Sequence, residues 1–193
     1  MMSGFKIEQY ASAVNENEIV LFVVPSTLEH DLTEEMVTHF TRAENALCVY
    51  VTVAKPSQTV DQAFTEAGAK TENIFYIDCA TALTGLSVKR AGNVVYLKPS
   101  DLTDISISLD SVVDELPSDR EGILMFDTLS TLMVYNEADT ISRFAHSLMT
   151  NIRQWPIKAV VFTIDEETDE VIKSRLTQFS DRTITIGNRR PSH

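Results

Sequence analysis

Five stretches of this chain are apolar at almost every position: residues 19–24 (IVLFVV), 46–53 (ALCVYVTV), 73–79 (NIFYIDC), 122–126 (GILMF) and 157–164 (IKAVVFTI). A strand with one wet face alternates apolar and polar residues, and these runs do not. They are the pattern of strands covered on both faces, which is how parallel sheets are built. Between them the period changes from two to nearly four. Leu28, Leu32, Met36 and Phe40 recur every fourth residue and form one helical stripe. Val60, Ala63, Phe64 and Ala67 mark a second helix, stopped by Gly68. Ile105, Leu109, Val112, Val113 and Leu116 define a third, ending at Pro117. Ile141, Phe144, Ala145, Leu148 and Ile152 define a fourth, ending at Trp155-Pro156, and Ile172, Leu176 and Phe179 mark the last.

Weaker signals complete the pattern. Residues 5–14 read as a short amphipathic helix followed by a polar break, 93–97 as a short strand, and 183–186 (TITI) as the closing strand. The stretch 81–92 has no clear period and is left unassigned. Apolar strands alternating with amphipathic helices predict an α/β fold with a mostly parallel sheet of about five or more strands and helices on both faces. No linker rich in Pro, Gly or Ser interrupts the 193 residues. The expectation is one domain over 1–193, with a helical lead-in at 1–17 and a core at about 18–187.

Charge narrows the partners. Against 16 basic side chains stand 28 acidic ones, a net charge of −12. Such a surface repels nucleic-acid backbones and anionic lipid, and a tight basic pair such as Arg189-Arg190 is too small to offset it. No apolar run approaches the roughly 20 residues of a membrane span, and the first ten residues lack the apolar segment of a signal peptide. Cys48 and Cys79 lie inside apolar runs, as buried thiols of a reduced compartment do. These features predict a cytoplasmic protein with no nucleic-acid or membrane partner.

In parallel sheets ligands bind at the carboxyl ends of the strands. After the first strand a nucleotide-binding domain carries a glycine-rich turn, whose backbone amides and lysine hold phosphate. Here the turn reads Pro25-Ser26-Thr27-Leu28-Glu29. No glycine occurs between Gly4 and Gly68, and no lysine between Lys6 and Lys55. Neither GxGxxG nor GxxxxGK[ST] can be built. Ser26-x-x-Glu29 reads instead as a capping box, with Glu29 and Asp31 adding negative charge at the helix's positive end. The fourth core strand ends in Asp127, followed by Thr128-Leu129-Ser130. Apolar residues leading into Asp have the shape of a magnesium-positioning Walker B strand, although many buried strands end in an Asp that only caps a loop.

Taken together, 46–53 with Lys55-Pro56, Asn73-Ile-Phe-Tyr-Ile-Asp78, Pro99-Ser-Asp-Leu-Thr-Asp-Ile105 and Gly122-Ile-Leu-Met-Phe-Asp-Thr-Leu-Ser130 resemble the RecA-like ATPase family of KaiC type, especially the KaiC-like proteins of archaea. The likeness runs from about 18 to 186. It implies a three-layer RecA-like (P-loop NTPase-like) fold. It also implies nucleotide-contacting roles for Asp127 and Ser130 and a polar sensor at Thr163. The sequence departs from the family pattern at two places. The Walker A P-loop is absent after Val24, and the glutamates expected after the second strand are replaced by Thr52-Val53-Ala54-Lys55. Without the cradle and the base, positioning and proton chemistry go together.

Other constellations are thin. His30 and Glu34 are four apart on an acidic helix, where a solvated pair is the ordinary reading rather than a metal site. No Gly-x-Ser-x-Gly elbow exists. Asp78 stands where a receiver domain carries its phosphorylated Asp, but Pro25-Ser26 and Asp165-Glu166 replace the acids and lysine such a domain needs. The run 165–170 (DEETDE) reads as a solvated helix start, or as a docking surface for a basic partner.

These readings predict a degenerate, non-catalytic module in regulation or signal transduction, with a protein partner, self-assembly into a homo-oligomer as a further option, and no cofactor. The alternative is a nucleotide binder that keeps ATP or ADP with magnesium through Asp127, Ser130 and Thr163.

Overall fold

The structure is a computed structural model and describes residues 7–43, 45–85 and 90–187. Arg189-Arg190, His193 and positions 86–89 of the unassigned stretch lie outside the described residues. The strands are β1 (Ile19–Val24), β2 (Leu47–Thr52), β3 (Ile74–Asp78), β4 (Arg90–Ala91), β5 (Val94–Tyr96), β6 (Gly122–Asp127), β7 (Ile157–Ile164) and β8 (Arg182–Thr185). The α-helices are α1 (Ile7–Ala11), α2 (Ser26–Thr38), α3 (Ser57–Ala67), α4 (Leu102–Glu115), α5 (Leu129–Leu132), α6 (Ala138–Ile152) and α7 (Glu170–Phe179). The strands form one sheet in the order β4-β5-β3-β2-β6-β7-β1-β8, parallel except for β4 against β5.

The unbroken apolar runs are explained by two cores, one on each face. Val20, Phe22, Tyr50, Met125 and Phe162 point to the face covered by α2 and α3, where they meet Leu32, Met36, Phe40 and Phe64. Leu21, Val51, Phe126 and Val161 point the other way, onto α4, α6 and α7 through Leu109, Leu148 and Leu176. Every residue of β1 is buried. This is the expected three-layer α/β fold, a mostly parallel sheet with helices on both faces.

Local details follow the sequence signals with some differences. The stripe Leu32-Met36-Phe40 is fully buried. It persists past α2 because the chain continues into a π-helical turn, His39–Ala43, which keeps Phe40 facing the sheet. Gly68 ends α3 with φ +88°, a left-handed conformation that favours glycine. The unassigned stretch contains a 3-10 turn, Thr81–Thr84, and the short edge strand β4, held antiparallel to β5. Cys48 and Cys79 are free, buried thiols in opposite cores, with the sheet between them. Among the described residues, no helix is long and apolar enough to cross a membrane.

Gly122 starts β6 where β7 comes closest. A Cβ there would stand 2.6 Å from Cγ2 of Ile157 and 3.1 Å from Cδ1 of Leu116. The Ile157 methyl sits on a β-branched, buried side chain and has little room to give. Gly122→Ala is expected to cost about 1–3 kcal/mol by overpacking, read as a lower urea midpoint with an unchanged m-value.

Candidate functional site at the carboxyl edge of the sheet

Because β1, β2, β3, β6 and β7 are parallel, their carboxyl ends open on one edge, and β7 alone separates β6 from β1. Asp127, the last residue of β6, lies half-buried at this edge. Strand alternation puts it on the same face as Met125 and Tyr50, beneath α2. The Tyr50 hydroxyl donates to its Oδ2 at 2.5 Å. Tyr50 is buried, and desolvation, with Asp127 and Glu29 nearby, pushes its phenol well above the usual range, so it stays a donor.

The other neighbour of Asp127 is an acid. Glu29, in the first turn of α2, hydrogen-bonds through its carboxyl to that of Asp127. This contact requires the Glu29 carboxyl to carry its proton. Burial, followed by the charge and hydrogen bond of Asp127, pushes the Glu29 carboxyl up to about 8, while Lys55 and His30 pull it partly back. The Thr33 hydroxyl lies 3.3 Å from Glu29 Oε1 and donates to the Glu29 carbonyl at 2.8 Å. Glu29 therefore fastens the start of α2 to the end of β6.

The capping box expected at Ser26 is not formed. Pro25 holds the N-cap position and makes no side-chain cap bond. A capping box needs its acid to reach back to the N-cap N–H, which proline lacks. With the frame shifted by one residue, Glu29 is free to turn inward. The Ser26 amide donates instead to Oε2 of Glu166, from the loop after β7, at 3.0 Å. The acidic charge at the helix's positive end is thus supplied across the sheet edge by the 165–170 run. Pro25 alone joins β1 to α2.

The residues singled out in the sequence are not gathered in one place. Ser130 Oγ accepts the Ile164 amide at 3.2 Å and lies 3.1 Å from the Thr128 hydroxyl, tying the β6 loop to the end of β7. Thr163 shares the face of Val161, across the sheet from Asp127, and its hydroxyl lies 2.8 Å from that of Thr168. Asp78 is fully buried; its carboxylate accepts the Ser57 amide at the start of α3, the Ala80 and Thr81 amides, and the Thr81 hydroxyl. His30 pairs with Glu34 at 3.0 Å on the surface. No group of three or more His, Cys, Asp or Glu that could hold a metal ion occurs among the described residues. Magnesium does not fit the donor set as placed, because the Asp127 carboxylate is engaged by Tyr50 and by Glu29.

A model for a family of unknown function, DUF7504, matches residues 20–186. The chain belongs to that family. No functionally curated protein matches the sequence of this DUF7504 member. Solved structures that share its fold include two from one archaeon. KaiC-like protein PH0186 from the hyperthermophilic archaeon Pyrococcus horikoshii OT3 superposes with a TM-score of 0.65 at 11% identity, covering 91% of this chain and 76% of that one. The uncharacterized protein PH0321 from Pyrococcus horikoshii, solved in complex with an unknown peptide, gives 0.73 at 9% identity, covering 93% and 81%. At such identities the likeness establishes the KaiC/RecA-like fold of the DUF7504 chain.

The acid pair sets a pH dependence. Between about pH 4.5 and 8 the folded state holds a proton on Glu29 that the unfolded chain has released. Stability therefore falls as pH rises through that window. Glu29→Gln, whose amide can donate to Asp127 without titrating, is expected to flatten the fall and raise stability at pH 8.5. After allowance for solvent screening of a half-buried group, the gain is on the order of 2 kcal/mol, measurable by urea unfolding of both proteins from pH 5 to 9.

Proposed function

We propose that this chain is a non-catalytic KaiC/RecA-like module that acts through contact with a protein partner, in a regulatory or signalling role. The observation that carries the reading is the β1–α2 junction. A phosphate cradle needs several residues of glycine-rich loop, whose amides converge on the anion. Here one proline spans the gap, the first amide of α2 belongs to Glu166, and Glu29 stands in front of Asp127. A triphosphate approaching that edge meets two carboxyl side chains where it needs N–H groups and a lysine. Lys55 occupies the place of the expected water-activating glutamate, so no general base is supplied from the end of β2. That PH0321, a structure of the same fold, was solved with a peptide supports a contact role over a chemical one.

A second reading draws on the position of Asp127 at the end of a strand separated from β1 by β7 alone. In it, Asp127 contacts ATP or ADP with magnesium after Glu29 is displaced, whereas Ser130, bonded to the Ile164 amide, and Thr163, buried on the opposite face, join only if the edge itself rearranges. Self-association into a homo-oligomer is compatible with either reading.

Isothermal calorimetry with ATP, ADP, GTP and cyclic dinucleotides in excess magnesium separates the two. The first reading expects flat traces, and no shift in melting temperature at millimolar nucleotide. Saturable heat that disappears in Asp127→Asn would establish the second reading and overturn the first.

A further inference from the structure

The opposite, amino edge of the sheet holds an open hollow of about 500 Å³. Its floor is apolar, made by Val113, Leu116, Trp155 and Ile157, and its rim carries Glu16, Asp114, Asp119 and Glu121. Such a volume is in the range that takes a small ligand or one or two side chains, and is far too small for a folded element.

The electrostatics of the rim are unbalanced. Helix α4 ends at the hollow, and a helix's carboxyl end is its negative pole, where bases are favourable and acids are not. The last turn of α4 has no base and holds Asp114 and Glu115 instead. Arg90 answers Glu115 with a two-pronged ion pair, at 3.1 and 2.7 Å. Lys158 pairs with Glu121 at 3.1 Å. Asp114 and Asp119 have no hydrogen-bonded or ion-pair partner among the described residues. Arg120 also lines the hollow, but its guanidinium is committed to the Asn45 carbonyl, at 3.2 and 2.7 Å. An apolar floor thus lies under a rim whose acids stand at a helix's negative end.

We infer that this hollow receives a segment of a partner protein that presents a lysine or arginine beside an apolar side chain. The apolar side chain covers Leu116 and Trp155, and the cation relieves the repulsion between Asp114, Asp119 and the end of α4. An anionic ligand is disfavoured by the same charges. The inference extends the reading of the chain as an interaction module. It concerns the edge remote from Asp127, so its test and the nucleotide titration succeed or fail separately.

Trp155 is the chain's one tryptophan, so its fluorescence reports on this site. The probe is the peptide acetyl-Leu-Arg-Leu-Arg-amide, titrated into the full chain at about 0.1 M salt. A saturable change in Trp155 emission is expected, with affinity about tenfold weaker in Asp114→Asn/Asp119→Asn. The control Glu72→Gln/Asp104→Asn removes the same charge at exposed positions outside the hollow and is expected to bind as the parent does. Three results would each overturn the inference: no saturable change, an equal response to acetyl-Leu-Glu-Leu-Glu-amide, or equal weakening in both double variants. The last would mean diffuse attraction to an acidic surface.

Discussion

The ladder β2-β6-β7-β1 is covered on both faces, and most of the remaining architecture follows from that burial. Its backbone N–H and C=O groups have no access to water, so each strand needs a hydrogen-bonded neighbour on either side. Parallel pairing then requires a crossover for every strand, and the crossovers supply the helices that cover the two faces. The same arithmetic of direction delivers the ends of β1, β2, β3, β6 and β7 to one edge. The acid pair, the Tyr50 hydroxyl and the Glu166 cap meet there because the sheet is parallel.

At that edge the balance between desolvation and pairing decides the chemistry. Asp127 is half-buried, and a second carboxyl beside it would be strongly unfavourable if both were ionised. Glu29 keeps its proton into the neutral range, and the Tyr50 hydroxyl donates to Asp127, which together limit that repulsion. The cost is a site whose charge is spent internally. The amino edge shows the opposite condition, since Asp114 and Asp119 stand near a helix's negative pole with no answering base among the described residues. One edge is electrostatically closed and the other open, which is why the proposed contact lies away from the place where this fold conventionally binds ligands.

The legible parts of the fold were those set by local chemistry. The Leu32-Met36-Phe40 stripe, the glycine stop at Gly68, the helix end before Pro117 and the bounds of the 157–164 strand all depend on residues close in sequence. The strand β4 was hidden because its two residues gain their identity only from pairing with β5. The capping motif at Ser26 misled because its pattern matches a true capping box. The deciding fact is that Pro25 takes the N-cap position and offers no N–H.

The amino-acid order by itself determined an α/β fold, an acidic surface, the absence of a glycine-rich phosphate loop, and an aspartate at the end of a core strand. These are properties of composition and of periods shorter than a helical turn or two. Only the tertiary structure decided what Asp127 faces, which carboxylate caps α2, and that Thr163 and Asp127 lie on opposite sides of the sheet. Strand order and register bring Glu29, Tyr50 and Asp127 within hydrogen-bonding reach. A contact between side chains so distant along the chain exists only once the intervening strands have been laid down between them.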